Sequence, residues 1–293
     1  MEAEIRPLPR FEYFLPSSLD DVLMLLKEHG NEARLLAGGT DLIVKMKKCI
    51  ISPGIIVDLN RVPELSFIEL RGDNLHIGAA TRLNDIKESE IVREKAPMFA
   101  KAIGFLACHV IRNRATIGGN LCSASPAADT APPLLVLGAS VSLQGPERVR
   151  AVALSEFFIS PGQTILRSDE LMSEVIVPCR EGRSTFLKFG RRKGFTLSIA
   201  SVAAFSMVTD GRFEEVKLAM GAVAPTPIRS RRIEEMLKGK QANKNIIEEA
   251  AQLAKKVVSP ISDVRASASY RREMVYLLTK RVLGKVAMVE EPC

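Results

Sequence analysis

The chain has 293 residues, 46% hydrophobic and 26% charged, which is enough for a substantial core and a prior of about two domains. Its net charge of +7 is spread along the chain, and with no tryptophan and three tyrosines it shows no aromatic-basic stacking pattern, so nucleic acid is not an expected partner. No apolar run approaches the ~18 residues of a membrane span, and the acidic start Met1-Glu2-Ala3-Glu4 leads to no apolar signal core, so a cytoplasmic protein is expected.

Ser18-Leu19-Asp20-Asp21 has the form of a capping box with Asp in place of Glu. Leu19, Val22, Leu23 and Leu26 then recur at helical spacing until Gly30 supplies a stop. A short strand leads into Leu35-Leu36-Ala37-Gly38-Gly39-Thr40-Asp41, where Thr40 is placed to cap a helix carrying Leu42, Ile43 and Met46. Residues 55–59 read as a strand, and 65–70 with 75–79 as a hairpin around Arg71-Gly72-Asp73-Asn74. Residues 83–107 read as mostly helical with a break near Pro97. A strand-like run, Ala115-Thr116-Ile117, then meets a second doublet, Gly118-Gly119-Asn120. Asp129-Thr130 is placed to cap a helix with Pro132 and Pro133 in its first turn, and 141–143 with 149–154 read as a strand pair joined at Gly145-Pro146.

The polar stretch from Pro178 to Ser184 marks a boundary. Beyond it, 186–190, 199–208 and 213–222 read as antiparallel strands, with Asp210-Gly211 as a tight hairpin turn. Helices follow over 229–238, 245–258 and 264–283, the second with Ile246, Ile247, Ala250, Leu253, Ala254 and Val257 on its core face. Residues 286–293 read as a loose tail. The pattern is α+β: an N-terminal domain over 1–180, then a smaller α+β domain over 184–285 with strands before helices.

The chemistry rests on the glycines. Glycine tolerates positive φ and lets a ligand approach bare backbone N–H groups. At the first doublet a helix begins just beyond, and its positive end favours an anion such as a diphosphate. Two matched doublets read as two walls around one dinucleotide, although each alone is equally explained as a tight turn between strand and helix. Neither GxxxxGK[ST] nor GxGxxG occurs. Cys49, Cys108, Cys122, Cys179 and Cys293 are widely spaced, form no metal-ligand cluster and read as reduced thiols. His29, His76 and His109 share no ligand spacing. Arg191-Arg192-Lys193 reads as a solvated loop, or as a rim that attracts an acceptor or a partner chain. No catalytic residue is assigned.

Residues 35–42, 116–120 and Ser123-Ala124-Ser125-Pro126-Ala127-Ala128-Asp129 resemble the FAD-binding (medium) subunit of molybdenum hydroxylases, the xanthine dehydrogenase and carbon monoxide dehydrogenase flavoprotein family. AGGTDL and TIGGN stand in the order and separation that family uses. Phe14-Leu15-Pro16, Glu170-Leu171 through Val177-Pro178, Lys188 through Lys193 and Ala224-Pro225-Thr226-Pro227-Ile228-Arg229 also fit, so the resemblance covers nearly the whole chain.

The resemblance implies a two-lobed PCMH, vanillyl-alcohol-oxidase-type FAD-binding domain, with a small lobe over about 1–57 and a large lobe over about 58–180. The C-terminal domain would cover the flavin end. The segment Leu36, Ala37, Gly38, Gly39, Thr40, Asp41 and Leu42 would hold the diphosphate, and Thr116, Ile117, Gly118, Gly119 and Asn120 would form the opposite wall. Asp129 would bond the ribityl or phosphate region, cap its helix, or do both. Leu106 and Met172 would line the cofactor or belong to the core, and Lys188 would lie near FAD or face solvent.

The implied function is an FAD-carrying electron-transfer subunit of a xanthine dehydrogenase-like complex. Electrons would arrive from the [2Fe–2S] clusters of a small subunit, the substrate being oxidised on a molybdopterin-binding large subunit, and would leave to NAD or another acceptor. The chain has no recognised cysteine spacing for a [2Fe–2S] cluster and no inserted cysteine-rich segment for a [4Fe–4S] cluster, so FAD is the redox group expected in it. A free-standing FAD-dependent oxidoreductase with its own substrate and a non-catalytic assembly module are the alternatives.

Overall fold

The computed structural model describes residues 7–192 and 195–289. In the small lobe, β1 (Glu12–Phe14) and β2 (Ala33–Leu36) flank β3 (Ile55–Asp58), and both run parallel to it. Parallel neighbours need crossovers; α1 (Leu19–His29) lies in the first and α2 (Leu42–Lys47) in the second. Ser18 Oγ accepts the Asp21 N–H at 3.2 Å and closes the first turn of α1. Val22, Leu23 and Leu26 then pack on Ala33, Ile55 and Val57 to make the lobe's core.

The large lobe opens with the hairpin β4 (Ile68–Arg71) and β5 (Asn74–Gly78). Short helices follow: α3 (Leu83–Glu88), α4 (Glu90–Lys95), α5 (Pro97–Gly104), α6 (His109–Arg112), α7 (Ile117–Cys122) and α8 (Ala131–Leu137). Strands β6 (Ser140–Gln144) and β7 (Val149–Ala153), helix α9 (Leu154–Phe157) and the small pair β8 (Phe158–Ser160) and β9 (Gln163–Thr164) lead to β10 (Leu171–Pro178). The five long strands form one antiparallel sheet in the order β4-β5-β10-β6-β7. At the start of β10, Leu171 lies in the small-lobe core and Met172 in the large-lobe core, so this strand end joins the two lobes. Just before it, the buried Glu170 carboxylate is gripped by Arg150 through Nε at 3.0 Å and Nη2 at 2.7 Å.

The C-terminal domain is an antiparallel meander of β11 (Arg183–Phe189), β12 (Ala200–Thr209), β13 (Arg212–Gly221) and β14 (Ile228–Arg229), followed by α10 (Arg231–Leu237), α11 (Lys244–Val257) and α12 (Ala268–Ala287). Asp210 and Gly211 both have positive φ, +51° and +71°, as the tight turn requires. Most of β12 and the second half of β13 are buried almost without interruption because both faces of the sheet are covered there. Val202, Ala204, Leu218 and Met220 face the helices α10–α12. Phe186, Ala203, Phe205 and Ala219 alternate with them and complete the core of the large lobe.

The structure corrects several sequence expectations. Ala115-Thr116-Ile117 is not a strand: Thr116 makes one isolated bridge to Arg82, and Gly118 and Gly119 lie inside α7. Thr40 does not cap α2; Asp41 takes the cap position, with no side-chain capping bond. The last helix starts at Ala268 rather than 264, because Ser267 Oγ accepts the Tyr270 N–H and sets its first turn. Residues 286–289 are not a loose tail. Val286 is helical and buried, its carbonyl accepts the Ser206 hydroxyl at 2.9 Å, and Val289 packs on the same core. The rest of that segment, 290–293, lies outside the described residues, as does Lys193 of the basic run. Among the described residues no helix is long and apolar enough to cross a membrane.

Candidate functional site

β2 ends at Leu36, and the chain turns through Ala37–Asp41 into α2. Gly39 has φ +72°, the left-handed region that a Cβ disfavours. Gly38 is constrained by space: an added Cβ would lie 2.1 Å from the Arg114 carbonyl oxygen. The carbonyls before the turn are engaged. The Leu59 N–H donates to Leu36 O at 2.8 Å, and Asn60 Nδ2 donates to Ala37 O at 3.0 Å. Asn60 is held in turn by the buried Asp58, whose Oδ1 accepts its N–H at 2.8 Å. Asp58 Oδ2 accepts the Tyr13 hydroxyl at 2.6 Å, a bond that pushes the Tyr13 phenol above its ordinary range. Among the described residues, the N–H groups of Gly38, Gly39, Thr40 and Asp41 donate to no protein oxygen. Consecutive amides of this kind make a backbone seat for an anion. Because α2 has six residues and Asp41 at its head, the seat is the turn itself rather than a helix dipole.

The second doublet is built differently. Thr116 Oγ1 accepts the Gly119 N–H at 3.1 Å and caps α7. Ile117 donates to Thr81 O at 3.1 Å, Gly118 to Ala79 O at 2.8 Å and Asn120 to Thr116 O at 3.0 Å. These four amides are therefore satisfied inside the protein, which departs from the expectation of bare N–H groups on both walls. Glycine is needed at 118 for space, since a Cβ there would lie 2.7 Å from Ala79 Cβ and 2.8 Å from Ala79 O. What this wall offers a ligand is its shape and its side chains.

The fold brings the two motifs together. Gly38 lies against the backbone of Arg114 and Ala115, just before α7. Ser123 Oγ, one residue beyond α7, donates to Asp41 Oδ2 at 2.7 Å across a separation of 82 residues. The Thr130 hydroxyl donates to Asn120 Oδ1 and carries the wall on to the start of α8.

There Asp129 and Lys188 meet. Lys188, on β11, does not face solvent: its Nζ donates to Asp129 Oδ2 at 2.6 Å, to Phe105 O at 3.1 Å and to Thr196 O at 3.0 Å. Asp129 is 4% exposed, and its Oδ1 accepts the Ser198 hydroxyl. Burial pushes the Asp129 carboxyl up, and the Lys188 ammonium and the Ser198 hydrogen bond oppose that shift. The expected cap is not made by this carboxylate, because Thr130 occupies the cap position of α8 and no side chain caps it. Met172 is buried in the large-lobe core, and Leu106 is partly buried against it. Burial pushes the thiol of Cys122, beside the second doublet, up to about 12, which disfavours its thiolate.

Sequence reasoning missed Tyr13, Asp58, Asn60, Thr196 and Ser198. A signal existed for one of them: Asp58 ends an otherwise apolar strand, and a buried carboxylate there demands partners. Thr196 and Ser198 lie between β11 and β12 with no local pattern to mark them.

The positive φ at Gly39 and the four unspent amides of the turn fit a phosphate-bearing ligand. Fold and site together define a two-lobed dinucleotide-binding chain followed by a C-terminal α+β domain. Residues 9–180 match the family described as the FAD binding domain in molybdopterin dehydrogenase, and residues 185–286 match the CO dehydrogenase flavoprotein C-terminal domain. The chain belongs to this family of molybdenum hydroxylase flavoproteins, and its cofactor is FAD. It is 34% identical over 279 residues to the glyceraldehyde dehydrogenase medium chain of Sulfolobus acidocaldarius, covering 95% of this chain and 99% of that one. It is 33% identical over 277 residues to the carbon monoxide dehydrogenase medium chain of Hydrogenophaga pseudoflava, covering 94% and 96%. A solved carbon monoxide dehydrogenase from that organism superimposes with a TM-score of 0.93 over 96% of this chain and 98% of that one, at 33% identity.

Proposed function

We propose that this chain is the electron-transfer flavoprotein of a cytoplasmic multi-subunit molybdenum hydroxylase. The partners are a [2Fe–2S] small subunit that delivers electrons and a molybdopterin-binding large subunit that oxidises the substrate. NAD or another acceptor takes the electrons away. The carrying observation is the run of unspent amides at Gly38–Asp41, opposed by a wall whose own amides are satisfied. Leu36–Leu42 hold the diphosphate, and Thr116–Asn120 close the cleft. The pair Asp129 and Lys188 bounds one end of it, with Leu106 beside them and Met172 behind in the core.

Bound FAD supplies both hydride and one-electron chemistry, and the protein's part is to bind and orient it. Asp129 and Lys188 are spent on each other and on neighbouring oxygens, which supports a carrier rather than a self-sufficient oxidase with its own base. Relatives of nearly equal identity are named for glyceraldehyde and for carbon monoxide, which supports a substrate pocket on another chain.

The test is purification of the tagged chain from its native host. The expected result is a yellow protein with one FAD per chain, bound to an iron–sulfur chain and a large chain, whose flavin is reduced when that complex receives substrate. A colourless protein that resists reconstitution with FAD would falsify the assignment, and steady substrate turnover by the isolated chain would replace it with a free-standing oxidoreductase.

A further inference from the structure

Two contacts fix the spacing of the walls at the first turn. One is steric: Gly38 against Arg114 and Ala115, where not even a methyl group fits, limits how closely the walls approach. The other is attractive: the Ser123 hydroxyl donates to Asp41 Oδ2 at 2.7 Å. Among the described residues this is the side-chain hydrogen bond that joins the Ala37–Asp41 turn to the segment after the second doublet. Asp41 leads into α2 of the small lobe, and Ser123 follows α7 of the large lobe. The bond therefore opposes separation of the two lobes beside the first glycine turn.

Its chemistry has a second consequence. Asp41 closes the run of four free amides, so its carboxylate is a negative charge at the edge of an anion seat. A carboxylate engaged by a hydroxyl on the far wall is held to that wall; one without a partner is free to turn toward the diphosphate and repel it.

We propose that Asp41 and Ser123 form a latch across the FAD cleft that governs how long the cofactor stays bound. The proposal rests on the reading that FAD lies between these walls. Both residues act as positioning residues, and Ser123 acts on FAD through Asp41.

The experiment follows FAD release from the purified holo-chain by recovery of flavin fluorescence, with a tight-binding apoflavoprotein as scavenger. Ser123→Ala raises the release rate about three- to tenfold, the range for one ordinary exposed hydrogen bond. Ser123→Thr keeps the hydroxyl and the wild-type rate. In an Asp41→Ala background Ser123→Ala adds nothing, because the tie is already cut. The melting temperature of each FAD-free variant falls by no more than about 2–4 °C, the contribution of one exposed hydrogen bond, which separates a latch from general loosening. An unchanged release rate for Ser123→Ala, or full additivity with Asp41→Ala, overturns the latch while wild-type FAD binding leaves the functional reading intact. A wild-type chain that takes up no FAD overturns both.

Discussion

The same dipeptide performs two different physical tasks in this molecule. At Gly38-Gly39 one missing side chain lets the backbone pack on Arg114 and the other permits a positive φ, the carbonyls just before them, Leu36 O and Ala37 O, are engaged by Leu59 and Asn60, and four amides remain for a ligand. At Gly118-Gly119 the missing side chains let the backbone pack: the amides are consumed by Ala79 and Thr116, and the chain lies too close to Ala79 for a Cβ. Both Gly-Gly pairs therefore mark close backbone packing, and what separates them is where the N–H groups go. The first region turns its bonds outward, and the second, continued through Thr130, Asp129 and Lys188, turns them inward. Substitutions in the inward region are expected to cost stability first, and those in the outward region to cost FAD first.

Lys188→Met should give the largest loss. It leaves the Asp129 carboxylate buried beside Ser198 alone, and removing one member of a buried pair costs about 3–5 kcal/mol. With its cation gone, the folded-state pKa of Asp129 rises further above the unfolded value. Such a group is stabilised by protonation, so the deficit is largest at neutral pH and shrinks as pH falls toward the ordinary carboxylate range. Denaturant unfolding at several pH values tests this, and a deficit that grows on acidification would contradict the sign.

Paired alanine substitutions test the comparison itself. Gly118→Ala forces a methyl group into the Ala79 contact and should destabilise the apoprotein by about 1–3 kcal/mol, while the fraction that folds still binds FAD. Gly39→Ala places a Cβ at φ +72° with Leu36 Cδ1 at 3.1 Å, a local strain of about 1–2 kcal/mol. The turn relieves that strain by shifting its amides, so FAD affinity should fall about tenfold or more, beyond the stability loss. Calorimetry of the apoproteins beside FAD titration separates the two, and equal patterns in both variants would erase the distinction.

The smallest effect serves as a remote control. Glu248 on α11 accepts from Lys280, Tyr276 and Gln252, which lower its carboxyl from 4.5 to about 2. Its contribution is present above the ordinary value and lost as pH falls from 4.5 toward about 2. Solvent screening at this site holds it under about 1 kcal/mol. Glu248→Gln should lower the neutral-pH melting temperature slightly and leave FAD binding unchanged.

What the sequence made legible was local. The Ser18 cap, the Asp210-Gly211 turn and the apolar face of α11 are set by residues within a few positions of one another. The helix at the second doublet escaped notice because two glycines in six residues have poor helix propensity. It forms because Thr116 caps it and because 79 and 81 accept its first amides. The partnership of Asp129 with Lys188 spans 59 residues and two domains, and no local pattern carries it. The end of α12 was misplaced because Val286 is fixed by Ser206, 80 residues away.

Amide hydrogen exchange on the chain with and without FAD reads most directly where the cofactor's phosphates are held. The peptide covering Gly38–Asp41 should exchange fast in the apoprotein and become strongly protected on loading, whereas the peptide covering Ile117–Asn120 should be protected already and change little. Protection gained at 117–120 with none at 38–41 would place the grip on the wrong wall and contradict the account.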